Sequence, residues 1–331
     1  MTSMRVQRRA SARRRPASPW PGFLWRRAVT LVFAVWASCT LVFFVTALSP
    51  FDPVRAAAGV SATAEYVAAR RAELGLDDPI LVRYARFLFD ALRLDFGSTL
   101  STSQPVSDVI AQRFPYTLTL GLLCFAIVTT VGLAIGMLVA QRTVSRPGSR
   151  VAAVFDGITG VLVVIPDYLI AVALILVFSV SLRLLPAAGG HGAQAYILPA
   201  ASISIGLIAV FARLVRTETA RVLREDYLRT ARANRIPRMR QMLAHVLPNV
   251  ATSTLTFGGL MLAGLLSGMV IAETVFDFPG IGSLLVQAIT LQDQNLMVGI
   301  VLIIATIALI VNILVDVLLA VLDPKSMIVR S

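Results

Sequence analysis

The sequence contains almost no lysine, and this scarcity excludes the commonest way in which a protein binds ATP. Among 331 residues there are 30 basic side chains, and only Lys325, which follows Pro324, is a lysine. A P-loop requires a glycine-rich turn that ends in Gly-Lys-Ser/Thr, because the lysine binds the terminal phosphates. The chain therefore has no P-loop, and we expect it to hold neither ATP nor Mg²⁺ as a cofactor.

Histidine and cysteine are also scarce, with two of each. His191 and His245 lie far apart in predicted loops, and neither H-E-x-x-H nor G-x-S-x-G occurs. Cys39 and Cys124 lie inside apolar runs without metal-ligand spacing, so we expect two buried thiols and no disulfide. The sequence predicts no catalytic residue and no metal site, so the chain is not expected to be an enzyme on its own.

Apolar side chains are abundant instead. They make up 57% of the chain, and the mean hydropathy is +0.79, whereas soluble domains have about 45–50% apolar residues. Six apolar runs are long enough to cross a bilayer. These predicted spans cover residues 28–48, 116–140, 151–180, 197–211, 250–271 and 295–321. The sequence therefore predicts an all-α integral membrane protein with six transmembrane helices.

The arginines are distributed unevenly between the predicted loops. If both termini are cytoplasmic, the inner segments hold 22 of the 30 basic residues, and acidic residues balance the eight in the outer loops. This arrangement satisfies the positive-inside rule. The net charge of +12 could suggest nucleic acid, but the arginines cluster beside apolar runs, so we expect no nucleic-acid partner.

The densest basic segment is the loop Arg213–Asn249, which carries nine arginines and three acidic residues. By charge alone, these arginines could simply hold the loop in the cytoplasm. The charges nevertheless have helical spacing, because Glu225 and Asp226 precede Arg229 by four and three residues. Pro237 disfavours helical geometry in the residue before it. We therefore predict a short helix near Tyr227–Arg235.

Three groups of residues in this loop resemble the cytoplasmic "EAA" loop of binding-protein-dependent ABC importer permeases, in particular the dipeptide/oligopeptide/nickel group. They are Glu225-Asp226-Tyr227, Arg229-Thr230-Ala231-Arg232-Ala233-Asn234 and His245-Val246-Leu247-Pro248-Asn249. Further similar groups occur between about Leu48 and Lys325: Leu74-Gly75-Leu76-Asp77, Asp95-Phe96-Gly97-Ser98, Glu273-Thr274-Val275-Phe276 with Pro279-Gly280, and Asp323-Pro324. The family usually has glycine at position 234. Asparagine tolerates left-handed backbone better than most residues, so the turn is expected to persist.

The resemblance implies a type I importer-like fold and a role for the loop. It implies that the short helix is a coupling helix, which binds a groove on a cytoplasmic ATPase. The implied coupling residues are Glu225, Asp226, Tyr227, Leu228, Arg229, Thr230, Ala231, Arg232, Ala233 and Asn234. Among them we expect Tyr227, Leu228 and Ala231 to form the apolar packing, and the charged residues Glu225, Asp226, Arg229 and Arg232 to form a polar rim.

The resemblance also implies partners and a location. We expect a second permease subunit in a heterodimer, two ATPase subunits that bind ATP and Mg²⁺, an extracytoplasmic solute-binding protein, and the lipid of a bacterial cytoplasmic membrane. The resemblance implies peptides, nickel or related solutes, with peptides first. A nickel-specific site in this chain is not expected, because the spans lack a histidine or cysteine cluster.

This resemblance divides the chain into four parts. Residues 1–27 are expected to be a disordered basic tail, and residues 28–115 the first span followed by an extracytoplasmic helical region. Residues 116–325 form the core permease domain with five spans and the coupling loop, and residues 326–331 a short tail. Within the core, the pairs Gly132/Gly136 and Gly264/Gly268 have the spacing of close helix contacts.

Four polar residues in or beside the spans are candidates for the transport pathway: Asp167, Glu273, Asn312 and Asp316. An ionisable residue inside a membrane is a functional suspect by default. Pro166 can kink the helix of the third predicted span, and the alternative for Asp167 is that it caps backbone groups freed by this proline. Such charges would also suit an ion-driven secondary transporter, although the sequence shows no convincing inverted repeat. A non-transporting membrane scaffold would not need the structured loop.

Overall fold

The computed structural model describes residues 20–48, 54–55, 63–73, 75–100, 102–146, 148–189 and 192–322. In this part of the chain the regular elements are helices, and one isolated antiparallel bridge joins Ser98 to Pro105. The helices are α1 (Trp20–Ala47), α2 (Ala64–Glu73), α3 (Ile80–Leu92), α4 (Val106–Thr143), α5 (Arg150–Val164), α6 (Asp167–Leu174), α7 (Ile197–Val222), α8 (Asp226–Ala233), α9 (Leu247–Gly268), α10 (Val270–Val275), α11 (Ile281–Thr290) and α12 (Gln294–Leu322). His191, most of the predicted N-terminal tail and the residues after Leu322 lie outside the described residues.

The six predicted spans are present, but the third is broken. Five helical segments are long and apolar enough to cross a membrane, and α5 with the helix that starts at α6 forms a sixth candidate bent by 95°. The break falls at Pro166, as predicted for a proline within a span. Ile165, the residue before it, has extended backbone angles, because the proline ring disfavours helical geometry there. The second half of the bent pair continues as a π-helix over Ile175–Ser181.

The core is organised around α4 and α7, which are the most extensively packed helix pair. The predicted close contact at Gly132 and Gly136 is confirmed. A Cβ atom on Gly136 would lie 2.6 Å from the Val215 Cβ, and one on Gly132 would lie 2.7 Å from the ring of Phe211. Glycine at both positions therefore lets the two backbones approach each other closely.

The second predicted glycine contact is wrong for Gly264, since a Cβ atom there would meet nothing within 4 Å. The residue that brings α9 close to α12 is Gly259, whose added Cβ would overlap the side chain of Val315. Both candidates lie in the same apolar helix, and only the rotation of that helix decides which one faces a neighbour.

The helical region predicted between the first and second spans contains two helices, α2 and α3. The loop that follows them packs on the start of α12, where Asp293 is buried. One Asp293 carboxylate oxygen accepts a hydrogen bond from the Leu100 N–H (2.7 Å), and the other caps α12 through the Leu296 N–H (3.1 Å). This residue therefore joins the outer region to the last span.

Candidate coupling surface and pathway residues

The predicted short helix is present as α8, which lies between α7 and α9. Helix α7 runs unbroken from Ile197 through the apolar span to Val222. After α8, one helical turn at Arg238–Arg240 and a π-helical segment at Gln241–Val246 lead directly into α9. Helix α8 is therefore connected by short links to two membrane-spanning helices.

Apolar contacts fix α8 against these neighbours. Leu228 is completely buried, and Ala231 is also buried. Both belong to the same hydrophobic cluster as Val222 of α7 and Val246 before α9. Buried apolar packing of this kind is the main source of stability for so short a helix. Helix α8 is therefore held in a fixed position against the ends of both spans.

The end of α8 corrects the expected role of Asn234. Its N–H donates to the Thr230 carbonyl (3.0 Å), as in a continuing helix, and the left-handed residue is Arg235, with φ of 56°. The Ile236 N–H then donates to the Ala231 carbonyl (3.2 Å), which is the Schellman pattern of helix termination. The residue at position 234 therefore does not need the left-handed geometry that glycine favours.

A polar contact joins the first and last of the three motif groups. The Asn249 side-chain amide, at the start of α9, donates to the Tyr227 hydroxyl (3.3 Å) and to the His245 carbonyl (2.7 Å). Partial burial raises the pKa of the Tyr227 phenol, and the nearby Glu225 carboxylate adds to the shift. Tyr227 therefore stays neutral near pH 7 and can accept this bond.

The opposite face of α8 is exposed. It presents Glu225, Asp226, Tyr227, Thr230, Ala233 and Asn234. For Arg229 and Arg232 the structure describes the backbone only. Of the three residues expected to supply apolar packing, Tyr227 is 45% exposed, whereas Leu228 and Ala231 pack against the chain's own core. These two residues hold the helix in place, and in this conformation they are not accessible to a partner.

An open cleft of about 790 Å³ lies beside α8. Its walls include Asp156, Arg213, Arg216, Arg224 and Glu225. The Arg216 guanidinium donates to the Asp156 carboxylate at 2.5 Å and lies over the ring of Phe155 at 5.2 Å. This pair connects α5 with α7 near α8. Asp156 is not among the predicted site residues, although its place as an acidic residue inside a predicted span was a signal that could have found it.

Glu273, a predicted pathway residue, instead occupies a sealed junction. Its side chain is completely buried. It accepts hydrogen bonds from the Thr117 hydroxyl (2.7 Å), the Gly282 N–H (2.6 Å) and the Ser283 N–H (3.1 Å). The carboxylate thus caps α11 and ties it to α4. In this conformation the carboxylate is closed off from solvent, and a pathway role for Glu273 stays a prediction.

Asp316, another candidate, pairs with Arg27 at 2.8 Å and so links α12 to the inner end of α1. Asn312 lies one turn earlier in α12 and is half-buried. This ion pair holds the last span against the first, and a pathway role for Asp316 stays a prediction.

Asp167 keeps an exposed side chain at the start of α6. Its carboxylate lies beside Gly206 of α7, where an added Cβ would be 3.3 Å from the Asp167 Oδ1. The residue at the cap position is Pro166, which has no side-chain hydrogen bond to offer. The four candidates are therefore not gathered in one site, and a pathway role for each of them stays a prediction. Among the described residues, no group of three or more His, Cys, Asp or Glu side chains could hold a metal ion.

Several apolar spans and a structured loop that connects two of them define a polytopic membrane protein. The chain matches the family described as "Binding-protein-dependent transport system inner membrane component" over residues 132–327. Residues 22–121 match the N-terminal family described as "Binding-prot-dependent transport system membrane comp, N-term".

Relatives cover nearly the whole chain. It is 34% identical over 305 residues to the glutathione transport system permease protein GsiC of Salmonella paratyphi A, which covers 91% of this chain and 97% of that protein. It is 35% identical over 293 residues to a Brucella abortus protein provisionally described as a peptide transport system permease protein, with coverage of 86% and 92%. In fold it is similar to a chain of the MetNI methionine ABC transporter in an inward-facing crystal form, with a TM-score of 0.52, 16% identity, and coverage of 65% of this chain and 96% of that chain.

The chain therefore belongs to the family of binding-protein-dependent transport system inner membrane components. It is the permease of an ABC importer in a bacterial inner membrane, as the sequence predicted. These comparisons give no support to an ion-driven secondary transporter.

Proposed function

We propose that this permease imports small peptides, delivered by a solute-binding protein on the outer side. The names of its relatives support this solute class, because one serves glutathione, itself a small peptide, and another a peptide transport system.

We further propose that the exposed face of α8, within residues 225–234, binds a groove on a cytoplasmic ATPase. The observation that carries this proposal is the division of α8 into two faces. Leu228 and Ala231 bind the permease core, while Tyr227, Thr230 and Ala233 remain exposed. A helix that binds in a partner's groove needs an exposed face. A helix that transmits the partner's movement to the spans also needs a face that is fixed to them.

In this mechanism ATP-driven closure of the ATPases moves α8 as a rigid body. Because α8 is packed on the ends of α7 and α9, the movement changes the tilt of both spans and switches the open side of the pathway. ATP and Mg²⁺ bind the partner ATPases, the chain itself is non-catalytic, and a second, different permease subunit completes the pathway.

The docking proposal is tested with Thr230→Arg, which adds a bulky cation to the exposed face of α8 without touching its buried face. We expect ATPase subunits to co-purify with the wild-type permease and to be lost from this variant. Ala68→Arg is the matched control, since it makes the same charge change on the exposed α2 helix on the outer side. Undiminished ATPase binding by Thr230→Arg would refute the docking role of α8.

The solute is tested separately with the complete transporter and its binding protein in vesicles supplied with ATP. We expect uptake of a labelled dipeptide or of labelled glutathione, and no uptake of labelled nickel. Uptake of nickel alone would refute the peptide proposal and leave the docking proposal intact.

A further inference from the structure

Helix α3 has three chemically distinct faces, and one of them is apolar and exposed. Tyr84, Phe87 and Ala91 recur with helical spacing on the face toward α1. Arg83, Arg86 and Asp90 share a charged face. The third face contains Leu81, Ala85, Leu88 and Leu92, of which Leu81 is 75% exposed and Leu92 is 84% exposed. A continuous apolar face of this kind on a helix requires an apolar environment.

The contacts with α1 fix where α3 lies along that span. The Tyr84 hydroxyl forms a 2.6 Å hydrogen bond with the Thr40 hydroxyl. The Phe43 ring lies 5.2 Å from the ring of Tyr84 and 5.5 Å from the ring of Phe87. Helix α3 is therefore anchored at Thr40 and Phe43, in the outer half of α1.

Helix geometry converts these anchors into a depth. Thr40 and Phe43 follow Arg27, at the inner end of α1, by 13 and 16 residues. At about 1.5 Å per residue they lie roughly 20 and 24 Å from that end. The hydrocarbon core of a bilayer is about 30 Å thick. Both anchors are thus about 6–10 Å below its outer edge, and interfacial amphipathic helices insert to a depth of about 5–10 Å.

The charged groups around α3 are compatible with this depth. Arg86 pairs with Asp78 at 2.9 Å in the turn that precedes the helix. The Arg93 guanidinium lies over the Phe89 ring at 4.0 Å, so it can reach toward the headgroups while the ring remains among apolar groups. The polar helix α2 precedes that turn and carries no buried residue.

We propose that α3 is an interfacial helix whose apolar face, Leu81, Ala85, Leu88 and Leu92, lies in the lipid of the outer leaflet. The occupant is lipid rather than protein, because α3 packs on a span that is itself largely open to its surroundings. Only 11% of the most apolar 18-residue stretch of α1 is buried. Leu41 and Val45, close to the anchors, are among its exposed residues. The proposal depends on α1 crossing the membrane and is independent of the transported solute.

The test uses the complete transporter in lipid vesicles, with Cys39 and Cys124 replaced by alanine. Single cysteines are introduced as Leu81→Cys and Leu92→Cys on the apolar face, and as Arg83→Cys and Asp90→Cys on the charged face. Each cysteine receives a nitroxide spin label, and its collisions with oxygen, which concentrates in lipid, and with a water-soluble nickel complex are compared. We expect the ratio of oxygen to nickel accessibility to be several-fold higher for the apolar pair.

Three other outcomes would overturn the proposal. Equal nickel accessibility on both faces would place α3 in water. Protection of Leu81→Cys and Leu92→Cys from both probes would mean that protein covers the face. Protection that appears only after the solute-binding protein is added would identify that protein as the occupant. Each face carries two labelled positions, so if one variant misfolds, the second position on that face still allows the comparison with the other face.

Discussion

Glu273 shows how a single buried charge can organise a turn. A carboxylate removed from water is costly unless hydrogen bonds replace its solvation, and here one hydroxyl and two backbone N–H groups do so. Gly280 and Gly282 make room for it, since an added Cβ on either residue would overlap the Glu273 carboxyl group. Glu273 and Gly280 belong to one of the groups of residues that resemble the permease family. Their role in this structure is to form the junction at the start of α11.

We predict that Glu273→Gln destabilises the protein by about 1–3 kcal/mol, because one acceptor oxygen becomes an NH₂ group that faces donors. The measurement is the midpoint of thermal unfolding of the purified permease in detergent. Glu65→Gln, on the exposed helix α2, is the control and should leave the midpoint unchanged. An unchanged midpoint for Glu273→Gln would show that the carboxylate is not needed as a triple acceptor.

Among the helices, the contact between α4 and α7 depends on glycine residues, which have no side chain to keep the two backbones apart. At Gly136 an added Cβ would lie 2.7 Å from the backbone oxygen of Ala212 as well as against Val215. A backbone atom cannot rotate away as a side chain can, so the two helices would have to separate.

We therefore predict that Gly136→Ala costs about 1–3 kcal/mol through overpacking. Gly264→Ala is the matched control, because it makes the same chemical change in another span where an added Cβ meets open space. Thermal unfolding of both variants provides the comparison. Equal midpoints for the two variants would contradict the close packing of α4 on α7.

Helix α8 provides a second prediction at this scale. Ala231→Glu places a charge in the buried interface that holds α8, whereas Ala233→Glu places the same charge on its exposed face. We expect transport to be lost in Ala231→Glu while the subunit remains inserted, since the apolar spans are unaltered. Tryptic cleavage at the loop arginines should accelerate for Ala231→Glu only.

Faster cleavage in both variants would mean that Ala233, like Ala231, is needed to hold α8 in place. Unaltered transport by Ala231→Glu would show that the fixed attachment of α8 is not required for coupling.

For the molecule as a whole, the topology follows from the distribution of arginine. The loop between the fourth and fifth spans is cytoplasmic under the positive-inside rule, and α2 and α3 are then on the outer side. This orientation places α8 within reach of an ATPase and α3 at the outer leaflet, so both proposals depend on it.

We predict that Arg224→Cys reacts with a membrane-impermeant maleimide in inside-out vesicles only, and Asp77→Cys in right-side-out vesicles only. The unmodified chain is the control, because Cys39 and Cys124 are both buried and should not react. The reverse pattern would invert the assigned orientation.

The sequence by itself determined the number of spans, the break at Pro166, the short loop helix and the family. Each of these depends on local composition: apolar runs of sufficient length, proline geometry, charge spacing and residue groups kept in order.

The tertiary structure alone decided which side chains face which neighbours. It placed Leu228 and Ala231 against the core, the left-handed turn at Arg235, the close contact at Gly259 instead of Gly264, and Glu273 in a sealed junction. In a nearly uniform apolar helix the pattern of side chains does not fix the rotation about the helix axis. That rotation is set by contacts between helices distant in sequence, and it determines whether a residue meets lipid, protein or a partner.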